Sequence, residues 1–375
     1  MRSSEALTVI GAGPAGLTAA ILACRAGRKV TVYERRREVG GRFHGDFQGL
    51  ENWSTERDVL DEIRALGIEP SFPTFPFREQ VCFGPDGREH VLRSSSRPFY
   101  YLVRRGPGPD TLDSALKEQA LAAGAEIRFG ESLPRPPAGS VVAWGPRRAD
   151  ALAVGYLFET DLPDSAFAIL DDRLAPRGYA YLLVQGGRAT LATCLWRDYH
   201  NEATYLERTL DFFQRKLGFA MYGPRKFGSA VSAHLSPPTA ANHVFWAGEA
   251  SGAQDALWGF GIRYALRSGK LAASLDPQAD PLGYRRLWEK LIGQPLRASF
   301  VNRYLYERAG KAGYRGFLWC LSHSRSPGRL LGRLYTPAWW QRAVFPLVYR
   351  SFAQAKTGAK PQCCCAWCAE QQAPP

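Results

Sequence analysis

The chain has 375 residues, of which 45% are hydrophobic and 22% are charged, and this composition excludes a disordered or fibrous protein. The formal net charge is +13, and the surplus is concentrated between residues 285 and 350, where thirteen Lys and Arg accompany two Glu. Such a segment predicts an anionic partner (a membrane surface, a phosphorylated substrate or a nucleic acid) or, alternatively, a solvated, arginine-rich helical surface.

The cysteines and the hydropathy pattern predict a cytoplasmic protein. Four cysteines are scattered singly and four crowd the C-terminal tail, which is not the framework of a small secreted disulfide protein. No run of roughly twenty apolar residues predicts a membrane-spanning helix. The apolar segment 15–24 is explained better by the glycines around it than as a signal peptide.

The first forty residues predict a strand, a helix and a second strand. The apolar run Leu7–Ile10 is typical of a buried strand, and a helix is predicted from about Pro14 to Arg25. Lys29–Tyr33 indicates the second strand, and Glu34 stands at its C-terminal end. This order of elements is the βαβ unit that binds dinucleotides.

Three glycines between the first strand and the helix supply the fingerprint of that unit, G-x-G-x-x-G. Gly11 allows a tight turn, Gly13 lets the backbone approach a pyrophosphate, and Gly16 lets helix and strand pack closely. The helix N-terminus, with Pro14 and Ala15, offers free N–H groups and about half a positive charge to phosphates. NAD and FAD both remain open at this point.

An acidic residue and a second glycine motif follow the βαβ unit. Glu34 can accept hydrogen bonds from both ribose hydroxyls, and Arg35 beside it is a further candidate for cofactor binding. Gly40-Gly41-Arg42 resembles the extended FAD motif of the glutathione-reductase superfamily. That resemblance implies that the backbone of Gly41 and the side chain of Arg42 lie near the pyrophosphate, and it favours FAD.

Two further segments predict strands and one more cofactor contact. Phe75–Leu92 is strand-rich, with a turn at residues 85–87. Tyr100–Gly130 predicts strand, turn, helix and strand, and it resembles the segment of the same flavoproteins that carries a basic residue at a strand end. The resemblance implies that Arg105 (or its neighbour Arg104) contacts the cofactor, and that Gly145 ends the strand that closes the FAD-binding fold.

Residues 176–196 predict a strand pair with a hairpin turn at Gly186-Gly187. The segment resembles the strand pair that covers the substrate cavity of geranylgeranyl reductases, with Pro176, Gly178 and Tyr179 matching and Tyr181 replacing a tryptophan. Tyr179 and Tyr181 are therefore candidates for the substrate pocket.

Residues 243–273 predict a short strand, a glycine-rich loop and a helix from about residue 259. They resemble the second FAD motif of geranylgeranyl reductase-like and aromatic-hydroxylase-like flavoproteins. The resemblance implies that Glu249 holds the ribityl chain and that the helix N-terminus points at the flavin ring. The matching positions are Gly248, Ala250, Gly252, Gly259, Gly261 and Ile262.

Two aromatic residues in this loop depart from the family pattern. Trp258 and Phe260 would lie beside the predicted flavin ring, which suits a large apolar substrate; alternatively, both belong to the hydrophobic core.

The C-terminal quarter is predicted to be helical, basic and aromatic. Residues 283–353 could form an amphipathic face that lies on a membrane, or a face that closes the pocket. The tail CCCAWC contains Cys365 and Cys368, which are candidate metal ligands; acylation or a disordered end are the alternatives.

These elements predict an α/β protein: a discontinuous FAD-binding, Rossmann-like domain of the glutathione-reductase type, an inserted β-rich substrate domain and a helical C-terminal region. The predicted ranges are 1–70, 100–155 and 240–280 for the FAD-binding domain, 71–99 and 156–239 for the substrate domain, 281–355 for the helical region and 356–375 for the tail.

The resemblance implies an FAD-dependent oxidoreductase that reduces carbon–carbon double bonds of a lipophilic, isoprenoid substrate. A flavin monooxygenase of an apolar substrate, or an electron relay to membrane quinone, would use the same cofactor segments. Because no second G-x-G-x-x-G occurs, NAD(P)H is expected only as a transient electron donor, or electrons come from a donor protein. No nucleic-acid recognition module is found, and a peripheral contact with the inner membrane face through 283–353 is the expected alternative.

The sequence does not single out a catalytic acid. His44 and Asp46 follow the second glycine motif and Tyr179 lies in the predicted cavity roof, so these three are the candidates, although a structural role is favoured for each of them.

Overall fold

The computed structural model of the protein describes residues 6–146, 149–235, 239–240, 243–275 and 281–356. The strands are β1 Leu7–Ile10, β2 Val30–Glu34, β3 Phe47–Glu51, β4 Phe75–Phe77, β5 Glu79–Phe83, β6 Glu89–Arg93, β7 Tyr100–Arg104, β8 Glu126–Phe129, β9 Val141–Val142, β10 Ala151–Glu159, β11 Ser165–Ile169, β12 Tyr179–Gln185, β13 Arg188–Leu195, β14 Tyr222–Val231, β15 Thr239–Ala240 and β16 Val244–Trp246. The helices are α1 Pro14–Arg25, α2 Val59–Leu66, α3 Leu112–Ala122, α4 Glu202–Leu217, α5 Ile262–Ser274, α6 Pro281–Trp288, α7 Gln294–Ser322, α8 Pro327–Arg333 and α9 Trp339–Lys356.

A six-stranded sheet in the order β15-β16-β9-β1-β2-β8 forms the first layer. All its pairs are parallel except β15 with β16. Strand β9 is fully buried, and β1 is buried at every position except Thr8, as expected of parallel strands covered on both faces. The sheet confirms the predicted α/β class and its Rossmann-like core.

Helices α1 and α5 pack against each other beside this sheet. The approach is close because small residues face one another: a Cβ at Gly269 of α5 would collide with the carbonyl oxygen of Ala15 in α1. This contact joins the predicted first and second cofactor segments, which lie more than 200 residues apart in the sequence.

A seven-stranded sheet in the order β14-β10-β13-β12-β11-β5-β6 forms the second layer. The predicted hairpin turn joins β12 and β13, with φ of 58° at Gly186 and 71° at Gly187, values that glycine adopts without strain. Helix α4 packs on this sheet through Leu206 and Phe213. The predicted boundary at residue 155 falls inside β10, which lies in this sheet along its whole length.

A small sheet, β3-β7-β4, connects the two layers. Its β3 is tied to the seven-stranded sheet where the backbone N–H of Phe47 donates to the Thr190 hydroxyl at 2.9 Å. This hydrogen bond fixes the position of β3 relative to the seven-stranded sheet, and β3 forms part of the wall of the space between the two large sheets.

The C-terminal helices close one side of that space. Helix α7 bends at Gly310, whose φ is 57°, and its first half packs against α9 through Phe300. Within the part of the chain that the structure describes, no helix combines the length and hydropathy needed to cross a bilayer.

Candidate functional site

A cleft of about 650 Å³ runs from the C-terminal ends of β1 and β2 to the underside of the seven-stranded sheet. Every predicted cofactor-binding residue lines it except Gly16, which packs behind it. The lining residues are Gly11, Gly13, Pro14, Ala15, Glu34, Arg35, Gly41, Arg42, Arg105, Gly145, Gly248, Glu249, Gly259, Gly261 and Ile262.

The glycines of the first turn have three different environments. Gly11 has φ of 105°, and a Cβ there would lie 2.5 Å from the carbonyl oxygen of Ala143. A Cβ at Gly16 would collide with the carbonyl oxygen of Gly11, whereas a Cβ at Gly13 would meet no atom within 4 Å. The space over Gly13, at the N-terminus of α1, is therefore open to a phosphate group.

Glu34 is held at the end of β2. Its carboxylate accepts hydrogen bonds from the backbone N–H of Ala12 at 2.8 Å and of Arg36 at 2.9 Å. The carboxylate therefore braces the glycine turn, and its remaining acceptor positions lie at the cleft, where a ribose hydroxyl can reach them.

Arg42 and Glu249 join the two cofactor segments by an ion pair of 2.9 Å. The Nη1 atom of Arg42 is buried and finds no hydrogen-bond partner among the residues that the structure describes. Gly145 lies beside it, and a Cβ at that position would make only an ordinary van der Waals contact with Nη1, at 3.6 Å. A buried guanidinium nitrogen without an acceptor fits a pyrophosphate oxygen, so the residues present suit a dinucleotide.

Arg105 is fully engaged by the protein itself. Its guanidinium donates to both carboxylate oxygens of Asp113, at 2.8 and 2.9 Å, and to Gln48 at 3.3 Å. Burial acts to lower the pKa of Arg105, but the Asp113 carboxylate outweighs it and the pKa is raised. Arg105 therefore fixes β7 to α3 as a wall of the cleft.

Beyond the glycine turns the cleft continues into a part lined mainly by apolar and aromatic side chains, which we call the apolar chamber. The proposed pocket residues Tyr179, Tyr181, Trp258 and Phe260 are among its lining residues. Its thiols stay protonated, because burial raises the pKa of both Cys82 and Cys194 to about 12. The remaining walls include Leu92, Phe227, Phe317, Leu318, Leu321 and Leu331.

The loop that carries Trp258 and Phe260 is fixed at nearly every backbone group. The carboxylate of Asp255 accepts from the N–H groups of Leu257 (3.2 Å) and Trp258 (2.7 Å), and the Tyr179 hydroxyl donates to the carbonyl of Trp258 at 2.5 Å. Burial raises the pKa of Asp255, although the donors to its oxygens act in the opposite direction. We name residues 254–261 the ring loop, since they precede the helix predicted to point at the flavin ring.

Three side chains of the C-terminal region complete this support. The Ser299 hydroxyl donates to Asp255 and accepts from the N–H of Ala256 at 2.8 Å. The buried Arg303 donates to the carbonyl of Leu257 at 3.1 Å, and the Tyr335 hydroxyl donates to Asp255 at 3.1 Å. Asp255 and these three side chains were not predicted from the sequence, because no spacing pattern links Asp255 to partners 44 and 80 residues away.

The three candidate acids differ in position. His44 is exposed and does not line the cleft. Asp46 is buried at the cleft and accepts from the Gln48 amide at 2.8 Å. Burial raises the pKa of Tyr179 well above its ordinary value, so its hydroxyl keeps its proton. The candidate metal ligands Cys365 and Cys368 lie outside the described residues.

Comparison with known proteins agrees with this geometry. The sequence profile of the NAD(P)-binding Rossmann-like domain matches residues 9–48. The chain is 23% identical to a digeranylgeranylglycerophospholipid reductase of Methanosarcina mazei, over 80% of this chain and 84% of the relative. It is 25% identical to digeranylgeranylglycerophospholipid reductase 2 of Methanothermobacter thermautotrophicus, over 81% and 88%.

Among solved structures, a geranylgeranyl bacteriochlorophyll reductase-like protein of Thermoplasma acidophilum superimposes with a TM-score of 0.68, at 18% identity, over 93% of this chain and 100% of that one. In sequence and in fold the chain is therefore similar to members of the FAD-dependent oxidoreductase superfamily. The chain also shares its fold with a flavin-dependent brominase, with a TM-score of 0.64 at 15% identity over 94% of this chain and 100% of that one. The predicted class of enzyme, an oxidoreductase with a flavin cofactor, is confirmed.

Proposed function

We propose that the chain binds FAD and reduces carbon–carbon double bonds in the isoprenoid chain of a lipid. The observation that carries the proposal is the continuity of the cleft, which joins a polar end lined by the glycine turns and Glu34 to an apolar, aromatic chamber. Relatives that match most of the chain carry the name of digeranylgeranylglycerophospholipid reductases, which supports a substrate of that class.

The polar end supplies the contacts that FAD requires. The N-terminus of α1 over Gly13 and the free Nη1 of Arg42 would hold the pyrophosphate, and Glu34 would accept from the ribose. Glu249 lines the same cleft and would bind the ribityl chain, and Gly259, Gly261 and Ile262 would face the ring. Reduced flavin supplies a hydride to the substrate.

The chain's own task is to position the double bond and to supply a proton. The ring loop holds Trp258 and Phe260 rigidly, so an isoprenoid chain can lie against them without water. Tyr179 keeps its phenolic proton because of burial, and its hydroxyl would have to leave the carbonyl of Trp258 to donate it to substrate. NAD(P)H, visiting the flavin transiently, or a donor protein would supply the electrons.

Anaerobic turnover tests this proposal. The holoprotein, reduced chemically under nitrogen, is incubated with digeranylgeranylglycerol phosphate dispersed in detergent, and the lipid is analysed by mass spectrometry. The proposal predicts a gain of two hydrogens per double bond. Incorporation of oxygen on admission of air would indicate a monooxygenase instead, and reduction of added quinone with unchanged lipid would indicate an electron relay.

A further inference from the structure

The C-terminal helices carry basic charge that no acidic residue of the same segment offsets. From Arg308 to Lys356 the sequence contains no Asp or Glu. Eight of its basic residues are exposed on the structure: Arg308, Lys311, Arg315, Arg325, Arg329, Arg333, Arg342 and Arg350. A surface of this charge attracts anionic partners over about a Debye length.

Large apolar side chains are exposed on the same helices. Trp319 is 57% exposed, Trp339 81% and Leu347 68%. On α9, Trp339, Ala343, Leu347 and Arg350 follow one another at helical spacing and form the outer face. The inner face packs against Phe300 through Phe345, Tyr349 and Phe352, so the exposure of the outer face is not a consequence of poor packing.

Two of these helices, α7 and α8, also form part of the wall of the apolar chamber. In α7, Leu318 and Leu321 line the chamber, whereas the residues between them, Trp319 and Cys320, are exposed. In α8, Leu331 lines the chamber and Arg329 and Arg333 are exposed on the outside. One layer of helix therefore separates the chamber from the basic, tryptophan-bearing surface.

We propose that the outer surface of α7, α8 and α9 docks on an anionic lipid bilayer. Tryptophan and leucine side chains enter the interface between head groups and acyl chains, and arginines contact lipid phosphates. A nucleic acid would accept the arginines, but a regular helix face of Trp339, Ala343 and Leu347 matches no base-reading arrangement. If the proposed function holds, docking sets the chamber wall against the membrane that contains the substrate.

Vesicle flotation with the full-length holoprotein tests the docking. We expect the protein to float with vesicles of phosphatidylglycerol and phosphatidylcholine, to stay behind with pure phosphatidylcholine, and to be released as salt rises from 0.1 to 0.5 M. Arg329→Gln with Arg333→Gln should weaken binding about thirtyfold, at about 1 kcal/mol per basic residue near the surface. The matched control, Arg225→Gln with Lys226→Gln on the exposed edge strand β14, should bind normally.

The apolar contribution has its own pair of variants. Trp339→Ser with Leu347→Ser should reduce binding, whereas Leu121→Ser with Tyr222→Ser, which also removes two exposed apolar side chains, should not. The proposal would be overturned if the protein bound both vesicle types equally, or if the control variants lost as much vesicle binding as the surface variants. It would also be overturned if the protein bound duplex DNA and no vesicles.

A fluorescent label on the exposed Cys320 tests the orientation. In a full-length background with serine at Cys24, Cys363, Cys364, Cys365 and Cys368, an environment-sensitive dye at Cys320 should shift to the blue on addition of anionic vesicles. The same dye on Arg225→Cys, with Cys320→Ser, should not shift; the reverse pattern contradicts the orientation. Reduction of detergent-dispersed lipid should be unchanged in the surface variants, so a failure of the proposed function and a failure of docking are told apart.

Discussion

At the scale of single residues, Gly13 and Gly16 lie on one turn and serve different purposes. Gly13 has φ of −83° and ψ of 179°, a conformation open to any residue, and nothing surrounds its absent side chain. Gly16 is packed against the carbonyl of Gly11. Gly13 therefore leaves space for a ligand, whereas Gly16 allows the helix to pack closely against the preceding turn.

Gly13→Val should therefore remove flavin without destabilising the protein. The valine side chain would occupy the phosphate space, so the ratio of flavin absorbance to protein absorbance should fall at least tenfold while the melting temperature of the flavin-free form changes little. Gly108→Ala, where a Cβ also meets nothing within 4 Å, is the matched control and should keep its flavin.

Gly16→Ala should instead lower the stability of the flavin-free form. Its Cβ forces α1 away from β1, and overpacking of this kind costs about 1–3 kcal/mol. Urea unfolding of the two flavin-free variants measures the contrast. A Gly13→Val protein that retains full flavin, or a Gly16→Ala protein as stable as the parent, would contradict these assignments.

At the scale of elements, the ring loop depends on the two oxygens of Asp255. One oxygen accepts from Leu257 N–H and the Ser299 hydroxyl, and the other from Trp258 N–H and the Tyr335 hydroxyl. Asp255→Asn would turn an amide N–H₂ toward one of these donor pairs. The unpaired groups should cost about 1–3 kcal/mol in urea unfolding, whereas Asp211→Asn, on the exposed side of α4, should cost little.

The stability difference between the parent protein and Asp255→Asn depends on pH, and the pKa of Asp255 determines in which direction it changes. Burial raises the pKa of Asp255, so the folded protein holds that proton more tightly than the unfolded chain. The stabilisation is present below the ordinary pKa of aspartate and is lost as pH rises through the folded value. The stability difference between parent and Asp255→Asn should therefore shrink as pH rises above about 4; a difference that grows with pH would show that the carboxylate is preferentially ionised in the fold.

Because α7 and α8 form part of the chamber wall, a larger side chain there should impair the reaction of long lipids more than that of short ones. Leu331→Trp fills part of the chamber, so kcat/KM for a geranylgeranyl lipid should fall several-fold more than kcat/KM for a geranyl lipid. Leu305→Trp, at a position of α7 that is 48% exposed, is the control and should leave both values unchanged. Equal losses for both lipids in Leu331→Trp would indicate general misfolding rather than a shortened chamber.

The elements that could be predicted from the sequence are those whose determining residues lie close together in the chain. β1 and α1 begin and end as predicted, because an apolar run, a proline at the helix start and spaced glycines are all contained within twenty residues. The pair Arg42–Glu249 was predicted only as two separate cofactor contacts. The partners of Asp255 were not predicted, since side-chain hydrogen bonds across long sequence separations leave no periodic signal.

At the scale of the whole molecule, cofactor end, chamber and C-terminal helices form one connected structure. Ser299, Arg303 and Tyr335 hold the ring loop from outside the six-stranded sheet, so the helices that present the proposed membrane surface also fix the aromatic wall beside the flavin position. Binding of FAD should consequently stabilise the entire chain, by about 2.7 kcal/mol when free FAD is a hundred times its dissociation constant.

We propose that the segments around Gly13 and Gly261 bind a single FAD, and the proposed function depends on this claim. It is tested most directly by releasing the noncovalent cofactor from the purified full-length protein and quantifying it by chromatography against protein concentration. We expect one molecule of FAD per chain and no FMN. Two results would refute a single FAD site. One is that the folded, flavin-free protein binds no added flavin in a titration. The other is that it binds FMN and FAD with equal affinity, because the adenosine half of the cofactor would then contribute nothing.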